Sequence, residues 1–175
     1  MSPTRRGLLA GAARAFAESG LRRTTMQSVA GAAGVAKATL YNHFRTKDEV
    51  ARALLELEVE RLVATAGALP TAEALAVLSD ELGAHPVLRR LAETEPEALV
   101  ALLGRDAWGR LTGSLAAALD VDEDAAELAG RWLLGVVLQP GRSTIRHRHA
   151  ALLATALVAG PADEEAARPH TGRRE

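Results

Sequence analysis

Residues 24–50, TTMQSVAGAAGVAKATLYNHFRTKDEV, constrain the fold more than any other part of the chain, because a turn signal separates two short helical patterns there. In the first pattern, Val29 and Ala33 lie four residues apart on one helical face. Thr24 or Thr25 precedes this pattern, and a threonine hydroxyl can satisfy a free backbone N–H at a helix start. The sequence therefore predicts a short helix that begins near residue 25.

A second helix is predicted from about Lys37 to Phe44, after a turn at Gly34. Glycine readily adopts the left-handed backbone conformation that commonly ends a helix. Leu40 and Phe44 are four residues apart and point one way, so the polar side chains between them are left for the other faces. Such a pair of helices is typical of a helix-turn-helix, whose second helix enters the major groove of DNA.

The next helix is predicted to begin beside residue 46, because Thr46 and Glu49 have the spacing of a capping box. Lys47 then occupies the first position of the helix, next to its free backbone N–H groups. A cation and free N–H groups together are suited to hold a phosphate.

The distribution of charge supports the same interpretation. Residues 1–47 contain eight basic residues and one acidic residue, a formal charge of +7, although the whole chain carries −1. The rest of the chain, with 13 basic and 21 acidic residues, is therefore acidic. Only the N-terminal part suits a polyanion such as DNA.

Residues 8–50 resemble the N-terminal DNA-binding domain of TetR-family transcriptional regulators. The matching features are the helix with Phe16, the Thr-Thr step, the Ala-Gly-Val turn, the Thr-Leu-Tyr-x-His-Phe helix and the lysine that follows. The resemblance implies an all-α fold, in which an N-terminal three-helix helix-turn-helix domain precedes a helical dimerisation and ligand-binding domain. It also implies a sequence-specific regulator, a repressor that a small-molecule effector releases from a palindromic operator in double-stranded DNA.

The resemblance also implies the residues that contact DNA, mostly at phosphates, by their position in the family pattern. Asn42 joins them because an amide can pair bidentately with adenine, and an uncommitted surface amide is the alternative. For Thr25, a helix cap alone and a cap that also binds a phosphate both stay open. The predicted DNA-binding residues are Thr25, Lys37, Thr39, Tyr41, Asn42, His43 and Lys47.

Two positions depart from the family pattern at the start of the second helix, and at one of them Ala38 replaces a frequent glycine. Ala36 stands where the family often has a capping serine, and a missing cap costs about 1 kcal/mol of local helix stability.

Beyond residue 50 the apolar spacing stays helical. We predict three domains: residues 1–47, the helix-turn-helix domain; 48–160, a helical regulatory and dimerisation domain; and 161–175, a flexible tail. A capping box at Thr94 and Glu97 predicts one helix to about residue 119. The other predicted helices span about residues 46–66, 71–82, 123–138 and 143–159, with a short helix after Pro86.

The last two predicted helices are apolar around most of their circumference. A helix of this kind must be covered on all sides, and an exposed apolar patch usually marks a partner surface. TetR-like proteins pair their last two major helices in a four-helix bundle, so the resemblance implies a homodimer; a buried hairpin in a monomer is the alternative. The predicted interface residues are Leu128, Trp132, Val136, Leu152 and Ala156.

The family typically holds a small molecule inside the helical domain. A mostly aliphatic lining would favour an apolar effector, whereas plain core roles for both tryptophans and a reduced or absent pocket are the alternative. The predicted ligand-binding residues are Leu78, Leu82, Leu103, Trp108 and Trp132.

Other functional classes lack the residues they need. The chain has no cysteine for disulfides or thiolate metal sites, and no apolar run near 20 residues, so we expect a cytoplasmic protein that does not enter the membrane. His147 and His149 are two residues apart and cannot share one helical face, so no metal site, cofactor or catalytic set is predicted. An architectural or effector-independent DNA-binding protein is the remaining alternative.

Overall fold

The computed structural model describes residues 3–159, and all regular structure in this range is α-helical, as predicted. Among these residues, no helix combines the length and the apolar composition needed to cross a bilayer. The helices are α1 (Pro3–Arg23), α2 (Met26–Ala33), α3 (Lys37–Tyr41), α4 (Lys47–Ala66), α5 (Thr71–Ala84), α6 (Pro86–Thr94), α7 (Pro96–Leu102), α8 (Arg105–Leu119), α9 (Glu123–Leu138) and α10 (Ser143–Ala159).

Helix α2 is bounded by the two residue types that the sequence indicated. Thr25 is the N-cap, and its hydroxyl accepts a hydrogen bond from the Ser28 N–H at 3.1 Å. Thr24 instead is buried, and its hydroxyl donates to the Gly20 carbonyl at 2.6 Å. Gly34 ends the helix with φ 68°, the left-handed conformation that glycine adopts at low cost.

Helix α3 is shorter than predicted, because it ends at Tyr41 and not at Phe44. Thr46 must be extended to cap α4, with φ −132° and ψ 158°, so the chain has to leave the helix before it. The Phe44 N–H still bonds the Leu40 carbonyl at 2.9 Å, which keeps both side chains on the buried side. Ala36, at the N-cap of α3, provides no side-chain hydrogen bond.

The predicted capping box of α4 is formed only in part. The Thr46 hydroxyl accepts from the Glu49 N–H at 3.1 Å, but the Glu49 carboxylate accepts from the Arg45 N–H at 2.7 Å. The helix nevertheless begins and ends where the sequence predicted.

The single helix predicted over residues 94–119 is wrong, because α7 and α8 are separate helices. Gly104 is extended, with ψ 164°, and interrupts the helical path. Thr94 caps nothing, since its hydroxyl donates to the Arg90 carbonyl of the preceding turn at 2.7 Å. Helix α5 is two residues longer than predicted, whereas α9 and α10 confirm the predicted ranges.

Two groups of buried side chains form the core. The first group includes Phe16, Leu40 and Val50 together with Leu91 and Leu99, so it joins the helix-turn-helix to α4, α6 and α7. The predicted domain boundary between residues 47 and 48 therefore falls inside a continuous core. The second group joins α4 and α5 to α8, α9 and α10. The predicted tail, 161–175, lies outside the described residues.

Helices α1 and α2 approach most closely at Gly11. A Cβ atom placed on Gly11 would lie 2.5 Å from the Ala33 Cα, whereas one on Gly7 of the same helix would meet no atom within 4 Å. The backbone of α2 cannot yield as a flexible side chain could, so this contact requires glycine.

We expect Gly11→Ala to lower the free energy of unfolding by about 1–3 kcal/mol, because the added methyl group overpacks the contact between α1 and α2. Chemical denaturation of the purified variant would measure the change. Gly7→Ala is the matched control and should leave stability unchanged or raise it by up to about 1 kcal/mol, since alanine is the better helix former. Equal stability of the two variants would contradict this account of the packing.

Candidate functional site

One side of α3 is buried and the other is open to solvent. Leu40 is completely buried and Phe44 nearly so, which confirms both as core residues. Tyr41 is 43% exposed, and Asn42 and His43 are exposed beside it, whereas Thr39 is half-buried. The predicted DNA-binding residues of this helix therefore surround the exposed side of α3.

Lys37 and Tyr41 form a pair on this surface. The Lys37 Nζ lies 5.6 Å from the centroid of the Tyr41 ring, a cation–π distance, and both residues are exposed. The two side chains are one helical turn apart, so the ammonium group and the phenol hydroxyl are presented together. Such a pair can donate hydrogen bonds to phosphate oxygens or to acceptors on base edges.

Lys47 lies at the first position of α4, as predicted, but it also has a structural contact. Its Nζ donates a hydrogen bond to the Arg22 carbonyl at the end of α1, at 3.2 Å. An ammonium group has three donors, so this bond leaves two for a phosphate. Thr25 is exposed and caps α2; its phosphate contact stays a prediction.

Some basic residues of the N-terminal domain are engaged within the protein. Arg22 forms an ion pair with Glu97 of α7, and the Arg5 guanidinium lies 5.2 Å from the centroid of the Phe44 ring. Arg45 was counted in the charge excess but not selected from the sequence. Arg45 is exposed and follows Phe44 in the segment between α3 and α4. It is therefore a further candidate for a phosphate contact.

A cavity of about 130 Å³ lies between the two core groups. Four of the predicted ligand-binding residues line it together: Leu78, Leu82, Leu103 and Trp108. Trp132 does not belong to the lining; it is half-buried against the second core group. The rotation of α9 about its own axis is the reason, because it directs Leu133 and Val137 into the cavity and leaves Trp132 on a neighbouring face.

The cavity has two polar side chains that the sequence analysis missed, Glu58 of α4 and His85 at the start of α6. They are 27 positions apart in the chain, and no local spacing marks them as neighbours. Phe16 and Leu21 of α1 also reach the cavity wall. The cavity is therefore in direct contact with the helix on which α2 and α3 pack.

Helices α9 and α10 carry large apolar side chains that are exposed within the described residues. Leu128 and Leu152 are 50% and 65% exposed, and Ala156 is exposed as well, so these predicted interface residues are accessible. Leu138, which the sequence analysis did not select, shares the exposed face of α9. Val136 does not lie on this face, contrary to the prediction: it is 5% exposed and packs toward Gly83 of α5 inside the protein.

Helix α10 is held against α5 by polar contacts at its first turns. The Asp80 carboxylate bonds to His147 at 2.6 Å and to Arg146 at 2.5 Å. Burial alone would raise the pKa of Asp80, but these hydrogen bonds hold it below its ordinary value. Among the described residues, no group of three His, Asp or Glu side chains is placed to hold a metal ion.

Helices α1–α3, with the exposed polar side of α3, form a helix-turn-helix domain of the DNA-binding class. The family model for bacterial regulatory proteins of the tetR family matches residues 8–54. Residues 8–54 therefore match the DNA-binding domain of the tetR family.

Curated relatives match about a third of this chain. The HTH-type transcriptional repressor KstR2 of Mycobacterium tuberculosis is 49% identical over 53 residues, which cover 30% of this chain and 26% of the repressor. The chain thus matches about a quarter of the length of these relatives.

Solved structures resemble nearly the whole chain in fold. Salmonella enterica GusR has a TM-score of 0.65 at 24% identity, over 90% of this chain and 94% of GusR. FadR from Bacillus subtilis, solved in complex with stearoyl-CoA, has a TM-score of 0.57 at 16% identity, over 89% of this chain and 98% of FadR. The arrangement of α4–α10 therefore follows the fold of these solved structures.

We expect Lys37→Ala and Tyr41→Ala each to weaken DNA binding without changing the unfolding midpoint, because both side chains are exposed. For Lys37→Ala, the slope of log K against log salt should fall by about 1, as for the loss of one phosphate contact. Fluorescence anisotropy at several salt concentrations would measure both effects.

The matched control is Arg142→Ala, which removes an exposed cation from the turn before α10. It should leave affinity and salt slope as in the wild type. Unchanged binding by both α3 variants would remove Lys37 and Tyr41 from the interface.

Proposed function

We propose that this chain is a homodimeric transcriptional regulator, a repressor, which binds a palindromic operator and is released from it by a small apolar effector. The exposed Lys37–Tyr41 pair on α3 carries the DNA-binding part of this proposal. Leu40 and Phe44 are buried on the opposite side of this segment and fix its position. The Lys37 and Tyr41 side chains therefore lie on a helix that is anchored to the core.

The proposed contacts divide into positioning and recognition. Contacts with phosphates set the orientation of α3 but carry little sequence information. The residues proposed to make them are Lys37, Tyr41, His43, Lys47 and the N-cap Thr25. Thr39 and Asn42 are the candidates for contacts with base edges, since hydroxyl and amide groups can pair there.

The proposed dimer interface is the exposed apolar face of α9 and α10. Leu128, Leu138 and Leu152 would each remain largely in water in a single copy, which is unusual for three large aliphatic side chains on adjacent terminal helices. Trp132, half-buried at the edge of this face, and Ala156, which permits close approach, complete it. A two-fold pairing of this face would present two copies of α3 to two half-sites, and operator symmetry mirrors protein symmetry.

The proposed release mechanism uses the contact between cavity and α1. Phe16 and Leu21 belong to both the N-terminal domain and the cavity wall, and α4 supplies Leu54 and Val59 to the same wall. A bound molecule that fits the cavity better when α1 and α4 shift would lower the population of the DNA-binding arrangement. Only such a difference in affinity between the two states can couple the sites.

The first test is titration of DNA from immediately upstream of the gene, against a scrambled duplex, at two salt concentrations. We expect tighter binding to the natural duplex, with two protomers or more per site. Equal, salt-sensitive binding to both duplexes would favour the alternative, an architectural DNA-binding protein, and a genome-wide binding selection would then decide whether a specific site exists elsewhere.

We expect Leu152→Asp to convert the dimer to a monomer, because a charge would be buried at the centre of the proposed interface. Sedimentation velocity would measure the change. Val100→Asp is the matched control, since Val100 is an equally exposed aliphatic residue on α7, away from α9 and α10. A Leu152→Asp protein that still sediments as a dimer would contradict the proposed interface.

A further inference from the structure

The cavity lining is almost entirely hydrocarbon, with one polar corner. Among the described lining residues, Glu58 and His85 are the ionisable ones. Trp108 also has a polar atom, but its indole N–H donates to the Glu127 carboxylate at 2.7 Å and is not available to a bound molecule. The chemistry of the cavity is therefore decided by Glu58 and His85.

His85 presents one hydrogen-bond donor to this corner. Its Nδ1 accepts the Leu88 N–H at 3.3 Å as the N-cap of α6, so in the neutral ring the hydrogen lies on Nε2. Burial lowers the pKa of His85 from its ordinary value of 6.5, against the opposite effect of Glu58. The ring is therefore neutral at pH 7 and above.

The Nε2 donor has no hydrogen-bond partner within the described part of the chain. Glu58 Oε2 is 3.9 Å away, which is beyond hydrogen-bond distance. A half-buried donor without a partner loses free energy that a bound acceptor would restore.

Glu58 and its neighbours determine the net charge beside the polar end of the cavity. Its Oε2 accepts from the Arg61 Nε at 2.9 Å, and Arg61 in turn donates to Glu81 at 2.8 Å. Two carboxylates thus share one guanidinium, so a further anion would be repelled. A cation is also disfavoured, because the rest of the lining is hydrocarbon and a buried charge loses its hydration there.

The volume limits the size of the bound molecule. A cavity of about 130 Å³ is slightly smaller than an engineered cavity of about 150 Å³ that binds benzene. The space as formed thus suits a single six-membered ring and not a long acyl chain.

We propose that this cavity binds a compact, uncharged, ring-sized apolar molecule with one hydroxyl or carbonyl oxygen, which accepts a hydrogen bond from His85 Nε2. This inference rests on the proposed function, since it names the chemical class of the effector. A hydrocarbon of equal size would leave the donor unpaired, and a carboxylate would face Glu58.

The test uses four probes with the same ring: cyclohexanone, cyclohexanol, methylcyclohexane and cyclohexanecarboxylate. Calorimetric titration of the full-length dimer at pH 8 should show cyclohexanone and cyclohexanol binding about tenfold more tightly than methylcyclohexane, as for one added hydrogen bond. Cyclohexanecarboxylate should bind most weakly. Tightest binding of methylcyclohexane or of the carboxylate, equal binding of all four, or no binding of any would overturn the proposal.

His85→Asn tests the role of Nε2 directly. Asparagine is a good N-cap and can retain the bond from the Leu88 N–H, but it does not place a donor at the position of Nε2. We expect the preference for cyclohexanone over methylcyclohexane to disappear while methylcyclohexane affinity is kept. His149→Asn, an exposed site on α10, should behave as the wild type. A preference that survives in His85→Asn would overturn the assignment.

The same probes, added to a preformed operator complex, separate this inference from the proposed function. Cyclohexanone that binds as expected but leaves DNA anisotropy unchanged would support the ligand class and contradict release by an effector. Operator binding that is intact in a protein without the expected probe preference would overturn the ligand class alone.

Discussion

The arrangement of the whole molecule depends on the apolar core shared by α1, α3 and α4. Helix α3 has only five residues, and a helix of that length is not stable in water without tertiary packing. Burial of Leu40 and Phe44 against α1 supplies that packing and determines which side chains of α3 remain exposed. The same core continues through Phe16 and Leu54 to the cavity, so recognition surface and cavity are built on one set of contacts.

A second link joins the N-terminal domain to the wall of the cavity. Glu95, buried between α6 and α7, accepts a hydrogen bond from the Arg22 N–H at 2.9 Å. Gly20 makes this approach possible, because its φ of 74° turns the end of α1 and a Cβ there would collide with the Glu95 carboxylate. Since Lys47 bonds the Arg22 carbonyl from the other side, the end of α1 connects α6, which lines the cavity, to the start of α4.

Local signals in the sequence predicted local structure well. Thr25 and Thr46 cap helices, and Gly34 ends one, because a cap depends on residues within one turn of the chain. The same reasoning failed at Thr94, where the capping pattern is present but the hydroxyl bonds to the preceding helix. It also failed at the end of α3, because the start of α4 determines where that helix must stop.

By itself, the sequence determined the class of the N-terminal domain and the residues on the exposed side of α3, because that domain is encoded in a short, contiguous pattern of caps, turn and apolar spacing. Only the tertiary structure decided that Val136 faces inward, that Trp132 lies outside the cavity lining, and that Glu58 meets His85. Helix α9 is apolar on most sides, so periodicity does not fix its rotation about its own axis. The meeting of Glu58 and His85 depends on how α4 packs against α6, and residues far apart in the chain leave no local trace of such a contact.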